Sequence, residues 1–127
     1  MRPRNLTNGA LIDPAQALSS YNKKQFHHVY PRAHLRRLGG CTNDNLLANI
    51  CMLVTAANNI FSDSDPAKYL PAAVATLGAD ADEVFRSNMM PIPSSFDYAK
   101  ATYDQFLDSR IALAASIVQK LCAGDRL

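Results

Sequence analysis

The stretch that decides the fold is QFHHVYPRAHLRR, residues 25–37. Residues 25–30 are rich in aromatic and β-branched types and stop at Pro31, a pattern that predicts a short β-strand. Two neighbouring histidines, His27 and His28, lie near the end of that strand. Adjacent imidazoles in an apolar run are either a structural pair or two side chains that divide a chemical task, and the rest of the chain has to decide between these readings.

The segments that follow predict a second strand. Residues 32–38 suit one or two helical turns, and Gly39-Gly40 ends them. A polar loop covers residues 41–48. The next segment, ANICMLV over residues 48–54, is a second short apolar strand. The local order is therefore strand, loop, strand.

A helix is predicted to complete this unit. Asp65 is the expected N-cap and Pro66 the first helical residue. The helix continues towards Leu77, with a bend or a restart at Pro71, and stops at Gly78. The candidate catalytic and metal-binding residues lie within this unit of strand, loop, strand and helix.

The C-terminal part of the chain is predicted to be helical. A short helix is expected around residues 81–88, and the prolines of MPIP, residues 90–93, prevent it from continuing. A long amphipathic helix over residues 96–122 gives the strongest periodic signal, and its apolar stripe is most simply core or a docking face. The stripe consists of Tyr103, Phe106, Leu107, Ile111, Ala114, Ile117, Val118 and Leu121.

Bulk properties exclude several classes of protein. The 127 residues fit one domain with a modest core. No apolar run approaches the roughly 18 residues of a membrane-spanning helix, and the N-terminus has no apolar region typical of a secretory signal. Cys41, Cys51 and Cys122 form no CxxC pair, which argues against a zinc knuckle and against a disulfide framework. A reduced, cytoplasmic setting is the prediction.

Charge is unevenly distributed along the chain. Residues 1–40 contain seven Lys or Arg and one acidic residue, whereas residues 41–127 contain six Lys or Arg and ten acidic residues. The basic side chains thus flank the two histidines. Such a cluster favours a polyanion partner such as DNA or RNA, although a solvated basic face without a partner has the same pattern.

The two histidines need a distortion of the strand to act together. Successive side chains of a strand point to opposite faces, so His27 and His28 cannot face one ligand from a flat strand. A twist or bulge before Tyr30 would let one ring reach a metal ion and the other a substrate. Asn49 and Asn58 lie at the two ends of the second strand, where amides can bond a ring nitrogen or offer an oxygen to a hard cation.

Three segments together resemble the HNH, or ββα-metal, nuclease motif. They are HHVYPRAHL at 27–35, NICMLVTAAN at 49–58 and FSD at 61–63. That motif has an acidic residue or histidine before the catalytic histidine, then a nearby proline, an asparagine in the second strand and an asparagine or histidine at the head of a helix. The nine-residue step between the two asparagines is similar to that of HNH domains in RNA-guided CRISPR nucleases.

The closer resemblance is to the C-terminal HNH-like domains of the DUF262/DUF1524 group, which includes GmrSD-type modification-dependent restriction enzymes. It covers roughly residues 20–122. It implies an α+β, mostly helical fold with a ββα-metal (His-Me finger) core and a C-terminal helical extension. Residues 1–24 would be an irregular N-terminal segment, 25–78 the core, and 79–127 a helical extension of the same domain.

The resemblance implies a role for each matching residue. His28 matches the general base that takes a proton from the water attacking a phosphodiester. Asn49 matches the asparagine that holds this histidine through its side chain or backbone. His27 and Asn58 match the ligands of one divalent ion, Mg²⁺ or Mn²⁺. The cations expected to contact DNA phosphates without reading sequence are Lys23, Lys24, Arg32, Arg36 and Arg37.

Two departures from the family pattern bear on activity. His27 stands where many HNH domains have an aspartate, and a neutral imidazole shifts the metal preference towards Mn²⁺, Zn²⁺ or Ni²⁺. Phe61 stands where the wider motif often has a lysine, so phosphate binding is expected to be weaker.

Two classes of function remain open. The first is a DNA endonuclease domain of a phage-defence or restriction protein. In that group an N-terminal DUF262-type NTPase domain senses modified DNA. No such domain is in this sequence, so we expect a fragment or a stand-alone relative. The second is a catalytically inactive nucleic-acid-binding or docking module with the same fold. A colicin-like toxin is a third idea, and it would need a secretion context.

Other polar and apolar residues of the unit have structural readings. Tyr30 is expected in the core rather than as a base-stacking platform, and Cys51 is expected to pack as a small apolar residue. His34 is predicted on a helix surface. Asp63 and Asp65 are expected to cap a helix rather than to bind metal.

Overall fold

The computed structural model describes residues 2–17, 19, 26–39, 43–52 and 64–125. Helices predominate in these ranges beside one small sheet, which confirms an α+β, mostly helical chain. The division into three segments stays a prediction. The elements are α1 (Pro14–Ala17), β1 (Phe26–His28), α2 (Arg32–Arg37), β2 (Ile50–Met52), α3 (Pro66–Leu77), α4 (Ala81–Ser87) and α5 (Tyr103–Cys122).

The two strands form an antiparallel pair. His27 lies opposite Cys51 and His28 opposite Ile50. Within the described residues, β1 ends at His28 rather than Tyr30, and β2 begins at Ile50 rather than Ala48. The residues just before β2 form a 3₁₀ turn, Leu47–Asn49, instead of extended strand. The chain after β1 also bends away, because Asn49 takes up the backbone groups of Val29 and Tyr30.

Helix α3 begins and ends where the sequence predicts. The Asp65 side chain accepts a hydrogen bond from the backbone of Ala67, and Pro66 is the first helical residue. Gly78 follows the last turn with φ +56°, a left-handed conformation that suits glycine. A restart at Pro71 is wrong, since one helix runs through it. Pro71 removes a single backbone hydrogen bond, and burial of the neighbouring Leu70 keeps the helix in place.

Helix α3 is fastened to the end of β1. The buried hydroxyl of Tyr69 donates a hydrogen bond to the carbonyl of Val29, the residue after His28. Burial raises the pKa of Tyr69 well above its ordinary value, so the hydroxyl stays protonated and able to donate. The strand pair and the following helix therefore meet directly behind the two histidines.

Aromatic rings form the centre of the core. The ring of Tyr30 packs against Tyr103 and Phe106 with centroids 5.1 and 5.0 Å away, and Tyr98 extends the cluster to Phe85 at 5.1 Å. Tyr30 is only 4% exposed, which confirms its placement in the core. Because it follows the histidines by two residues, this packing pins the end of β1 against α5.

Helix α5 starts later than predicted. Thr102 and Gln105 form a capping box at its N-terminus, and residues 96–101 are turns rather than helix. Only its first two turns reach the core, through buried Tyr103, Phe106, Leu107 and Arg110. Further along, Ile111, Val118 and Leu121 are 51%, 57% and 52% exposed. The periodic stripe is thus core in its first part and surface in its second.

The N-terminal segment packs against α4. Its only sheet-like contact in the described residues is a single bridge between Arg4 and Leu11. Arg4 bonds Asn88 through its carbonyl and pairs with Glu83 at 3.0 Å. Leu6 is buried in the common core. Among the helices of the described ranges, none combines the length and the apolar content that crossing a membrane requires.

Candidate active site

The two histidines are half-buried at the end of β1. Burial, and secondarily the positive charge that His28 can carry, lowers the pKa of His27 below its ordinary value. The neutral imidazole is therefore the favoured form of His27. That is the form in which histidine binds a metal ion.

The ring of His28 is held by an asparagine that sequence reasoning missed. Nε2 of His28 lies 3.0 Å from Oδ1 of Asn45, which belongs to the loop of residues 43–46. An amide oxygen can only accept, so Nε2 carries the proton and donates. The lone pair of the neutral ring is then on Nδ1. Asn45 lies in a polar loop with no recognisable local pattern, and the contact spans 17 residues of sequence.

Asn49 holds the backbone beside the histidines rather than their rings. Its side chain is fully buried. Oδ1 accepts from the Tyr30 N–H at 2.8 Å, and Nδ2 donates to the carbonyls of Tyr30 and Asp44, both at 3.1 Å. Its own carbonyl accepts from the Val29 N–H at 2.7 Å. This one residue thus joins the end of β1, the 43–46 loop and the start of β2.

An ion pair braces the same loop from the other side. Nε of Arg32 donates to Oδ2 of Asp44 at 2.8 Å. The hydrogen bond from Arg32 lowers the pKa of Asp44 below its ordinary value, with smaller contributions from the charges of Arg32 itself, Arg36 and His28. Arg32 was predicted to contact phosphate, and its charge is partly committed to this carboxylate.

The other predicted cations divide into two groups. Arg36 and Arg37 are exposed on α2, at the end of the helix that follows the histidines. Lys23 and Lys24 lie outside the described residues. Asn58, the predicted second metal ligand, also lies outside them, as do Phe61 and Asp63.

His34 is less exposed than a surface position on α2 predicts. Its side chain is 15% exposed, and Nε2 lies 3.9 Å from Oδ1 of Asp65, the N-cap of α3. Its ring also stands edge-on to Tyr30, 6.5 Å between centroids. The expectation of a surface histidine is wrong, because α2 packs this side chain towards the start of α3. The expected capping role of Asp65 is confirmed.

Cys51 packs as predicted, and its thiol is expected to be unreactive. It is 5% exposed and lies directly opposite His27 in the sheet register. Burial raises the pKa of its thiol to about 11, so it stays protonated and uncharged at neutral pH. Its position in the core confirms the reading of a small apolar residue.

The described part of the chain contains no complete set of metal ligands made from the usual side chains. No three His, Cys, Asp or Glu side chains come together there in a way that could hold an ion. The neutral ring of His27 is suited to bind a metal ion. The other predicted ligand, Asn58, has an amide side chain and so does not belong to these four residue types. The predicted pair of ligands stays a prediction.

Comparison of the chain with protein-family models, with curated proteins and with solved structures gives no match.

Proposed function

We propose that this chain is a metal-dependent DNA endonuclease domain that hydrolyses phosphodiester bonds with His28 as general base. The arrangement around His28 is the observation that carries the proposal. The ring is half-buried, its Nε2 is bonded to Asn45, and Tyr69 and Asn49 bond the backbone immediately after it. A general base needs a fixed ring with one nitrogen available for the proton, and this geometry supplies both.

The proposed reaction uses Nδ1 of His28. A water molecule in front of the ring gives its proton to Nδ1 as its oxygen attacks phosphorus, and the bond to the leaving oxygen breaks. The uncharged amide of Asn45 keeps the ring oriented while the positive charge develops. His27 and Asn58 would hold one divalent ion, which when bound stabilises negative charge on the phosphate and on the leaving oxygen.

Surface charge supports a nucleic acid as the substrate. Arg36 and Arg37 are exposed on α2, the helix that begins at Arg32, four residues after His28. Guanidinium groups suit phosphate oxygens because they can donate two parallel hydrogen bonds. We propose that these side chains hold the backbone of DNA against His28 without reading its sequence. The larger assembly would be a restriction protein with an N-terminal DUF262-type NTPase domain.

A second candidate is an inactive binding or docking module with the same fold. The observation that favours it is the part of α5 from Ile111 onwards, where Ile111, Val118 and Leu121 are all more than half exposed. Exposed apolar side chains on one helix are typical of a partner surface. Such a module would need no metal ion at His27.

The experiment that separates the two is metal-dependent nicking. The purified chain is incubated with supercoiled plasmid and Mg²⁺, Mn²⁺ or Ni²⁺, beside a sample with EDTA, and with RNA as an alternative substrate. Nicking that needs the metal supports the endonuclease. Absence of nicking, together with no heat of metal binding in calorimetry for the wild type relative to His27→Ala, would contradict it and favour the module.

A further inference from the structure

We propose that Asn45 is a positioning residue that fixes the ring of His28 in the Nε2–H tautomer, so that Nδ1 is the atom facing the attacking water. This deepens the proposed function and rests on it. Its new element is Asn45, a residue to which the family resemblance assigns no role.

The hydrogen bond itself defines the tautomer. Nε2 of His28 is 3.0 Å from the amide oxygen of Asn45, a normal length for such a contact. Since the oxygen has no proton to give, the ring nitrogen must donate. A histidine whose two nitrogens exchange roles would present a proton, rather than a lone pair, to water for part of the time.

An exposed hydrogen bond holds a ring only if its partner is itself held. Asn45 is exposed, so the bond alone would contribute little against competing water. The loop that carries it is braced at both preceding residues. The carbonyl of Asn43 accepts from the Tyr103 hydroxyl at 3.2 Å, and the side chain of Asp44 pairs with Arg32 at 2.8 Å.

A third brace comes from inside the core. The carbonyl of Asp44 accepts from Nδ2 of Asn49 at 3.1 Å, and the same buried side chain bonds the backbone of Tyr30. The residue before Asn45 and the residues after His28 are thus fixed to one buried group. The distance between Asn45 and His28 is therefore set by the core, and little side-chain freedom is lost when the two meet.

The test replaces Asn45 in two ways that differ in severity. Asn45→Ala removes the acceptor, whereas Asn45→Asp keeps an acceptor oxygen at the same position. Asn43→Ala, in the same loop, is the matched control, because only its backbone carbonyl contributes to the bracing. Each variant is first shown to keep the wild-type melting temperature.

Two readouts are combined. The first is the pair of ring ¹⁵N chemical shifts of His28, which differ between the two tautomers of a neutral ring. The second is the division of the rate loss between kcat and KM in plasmid nicking. We expect wild-type His28 to be entirely Nε2–H, and Asn45→Ala to give averaged shifts and a kcat about 10- to 100-fold lower, with KM nearly unchanged. Asn45→Asp and Asn43→Ala should keep wild-type shifts and most of the kcat.

The outcomes separate this proposal from the function on which it rests. Wild-type ring shifts in Asn45→Ala, or a kcat within about twofold of the wild type, would overturn the positioning role. A wild-type protein that does not nick DNA under any metal would overturn the proposed function, and the ring shifts would then decide alone whether Asn45 sets the tautomer.

Discussion

The side-chain amide of Asn49 forms hydrogen bonds with both the N–H and the carbonyl of Tyr30. Its oxygen accepts from the Tyr30 N–H at 2.8 Å, and its nitrogen donates to the Tyr30 carbonyl at 3.1 Å. The same nitrogen reaches the Asp44 carbonyl, so a single buried side chain fixes the strand end that carries His28 and the loop that carries Asn45. The candidate site is organised around this residue.

Asn49→Asp should therefore be more harmful than its small change in size suggests. The substitution keeps an acceptor for the Tyr30 N–H but turns the donating nitrogen into an oxygen that faces two carbonyls. We expect the free energy of unfolding to fall by at least about 2 kcal/mol, and nicking to be lost with it. Urea unfolding measures the first quantity. Asn43→Asp, at an exposed position of the neighbouring loop, is the control and should change stability little. An Asn49→Asp variant as stable as this control would refute the account.

The Tyr69 hydroxyl can be compared with a second buried tyrosine hydroxyl that lies away from His28. Tyr69→Phe and Tyr98→Phe each remove one buried hydroxyl that donates to a backbone carbonyl, at Val29 and at Pro91 respectively. Both should lower the free energy of unfolding by about 1–2 kcal/mol. Only Tyr69→Phe loosens the backbone behind His28, so we expect only this variant to lose nicking activity well below its melting temperature. Equal activity in the two variants would show that nicking does not depend on the hydrogen bond from α3 to the backbone beside His28.

The arginines of α2 should govern the salt dependence of DNA binding. Replacing both Arg36 and Arg37 by Gln removes up to two phosphate contacts. The slope of log affinity against log salt concentration should then become shallower by about 2. Fluorescence anisotropy with duplexes of different sequence should show the same loss for each, because phosphate contacts carry no sequence information. Arg86→Gln, an exposed arginine on α4, should leave the slope unchanged. An equal effect of Arg86→Gln would mean that the attraction is not specific to α2.

Acid should weaken the fold partly through Asp44. Its pKa is lowered in the folded chain, first by the hydrogen bond from Arg32, so the folded state holds the charged form more strongly than the unfolded state does. The stability from this pair is present above the ordinary value of 3.8 and is lost as the pH falls below it through the lowered pKa. Asp44→Asn should flatten the pH dependence of unfolding in that window.

The control for this pH dependence is an ion pair outside the site. Asp97 has a pKa that is lowered first by its hydrogen bond to Lys100, and it lies in the turns before α5. Asp97→Asn should flatten the same pH window, because the linkage between charge and stability is alike. Only Asp44→Asn should also disturb the ring signals of His28, since Asp44 precedes Asn45. Undisturbed ring signals in Asp44→Asn would show that the loop does not depend on Arg32.

Local signals were enough for the order of elements around the site. Pro31 stands directly before α2, Asp65 and Pro66 start α3, and Gly78 ends it, and each works through its own backbone geometry. The start of α5 could also have been read correctly, because Thr102 and Gln105 have the spacing of a capping box. The predicted start was too early because apolar residues recur at helical spacing in the turns before Thr102 as well.

The contacts that build the site could not be read in this way. Asn45 and His28 are 17 residues apart, and nothing in a polar loop indicates which of its asparagines reaches a ring. The burial of His34 depends on how α2 meets the start of α3. The outer half of α5 has the same periodicity as the inner half, and only tertiary packing distinguishes the buried Phe106 from the exposed Val118.

The most direct measurement is the rate of plasmid nicking in Mn²⁺ by three proteins, the wild type, His28→Ala and His34→Ala. His34 is the matched control, since it is a histidine of the same segment whose ring lies 3.9 Å from Asp65 at the start of α3. The account predicts a fall of at least about 100-fold for His28→Ala and a change of less than about threefold for His34→Ala. Equal rates for the wild type and His28→Ala would contradict it and exclude His28 as the base.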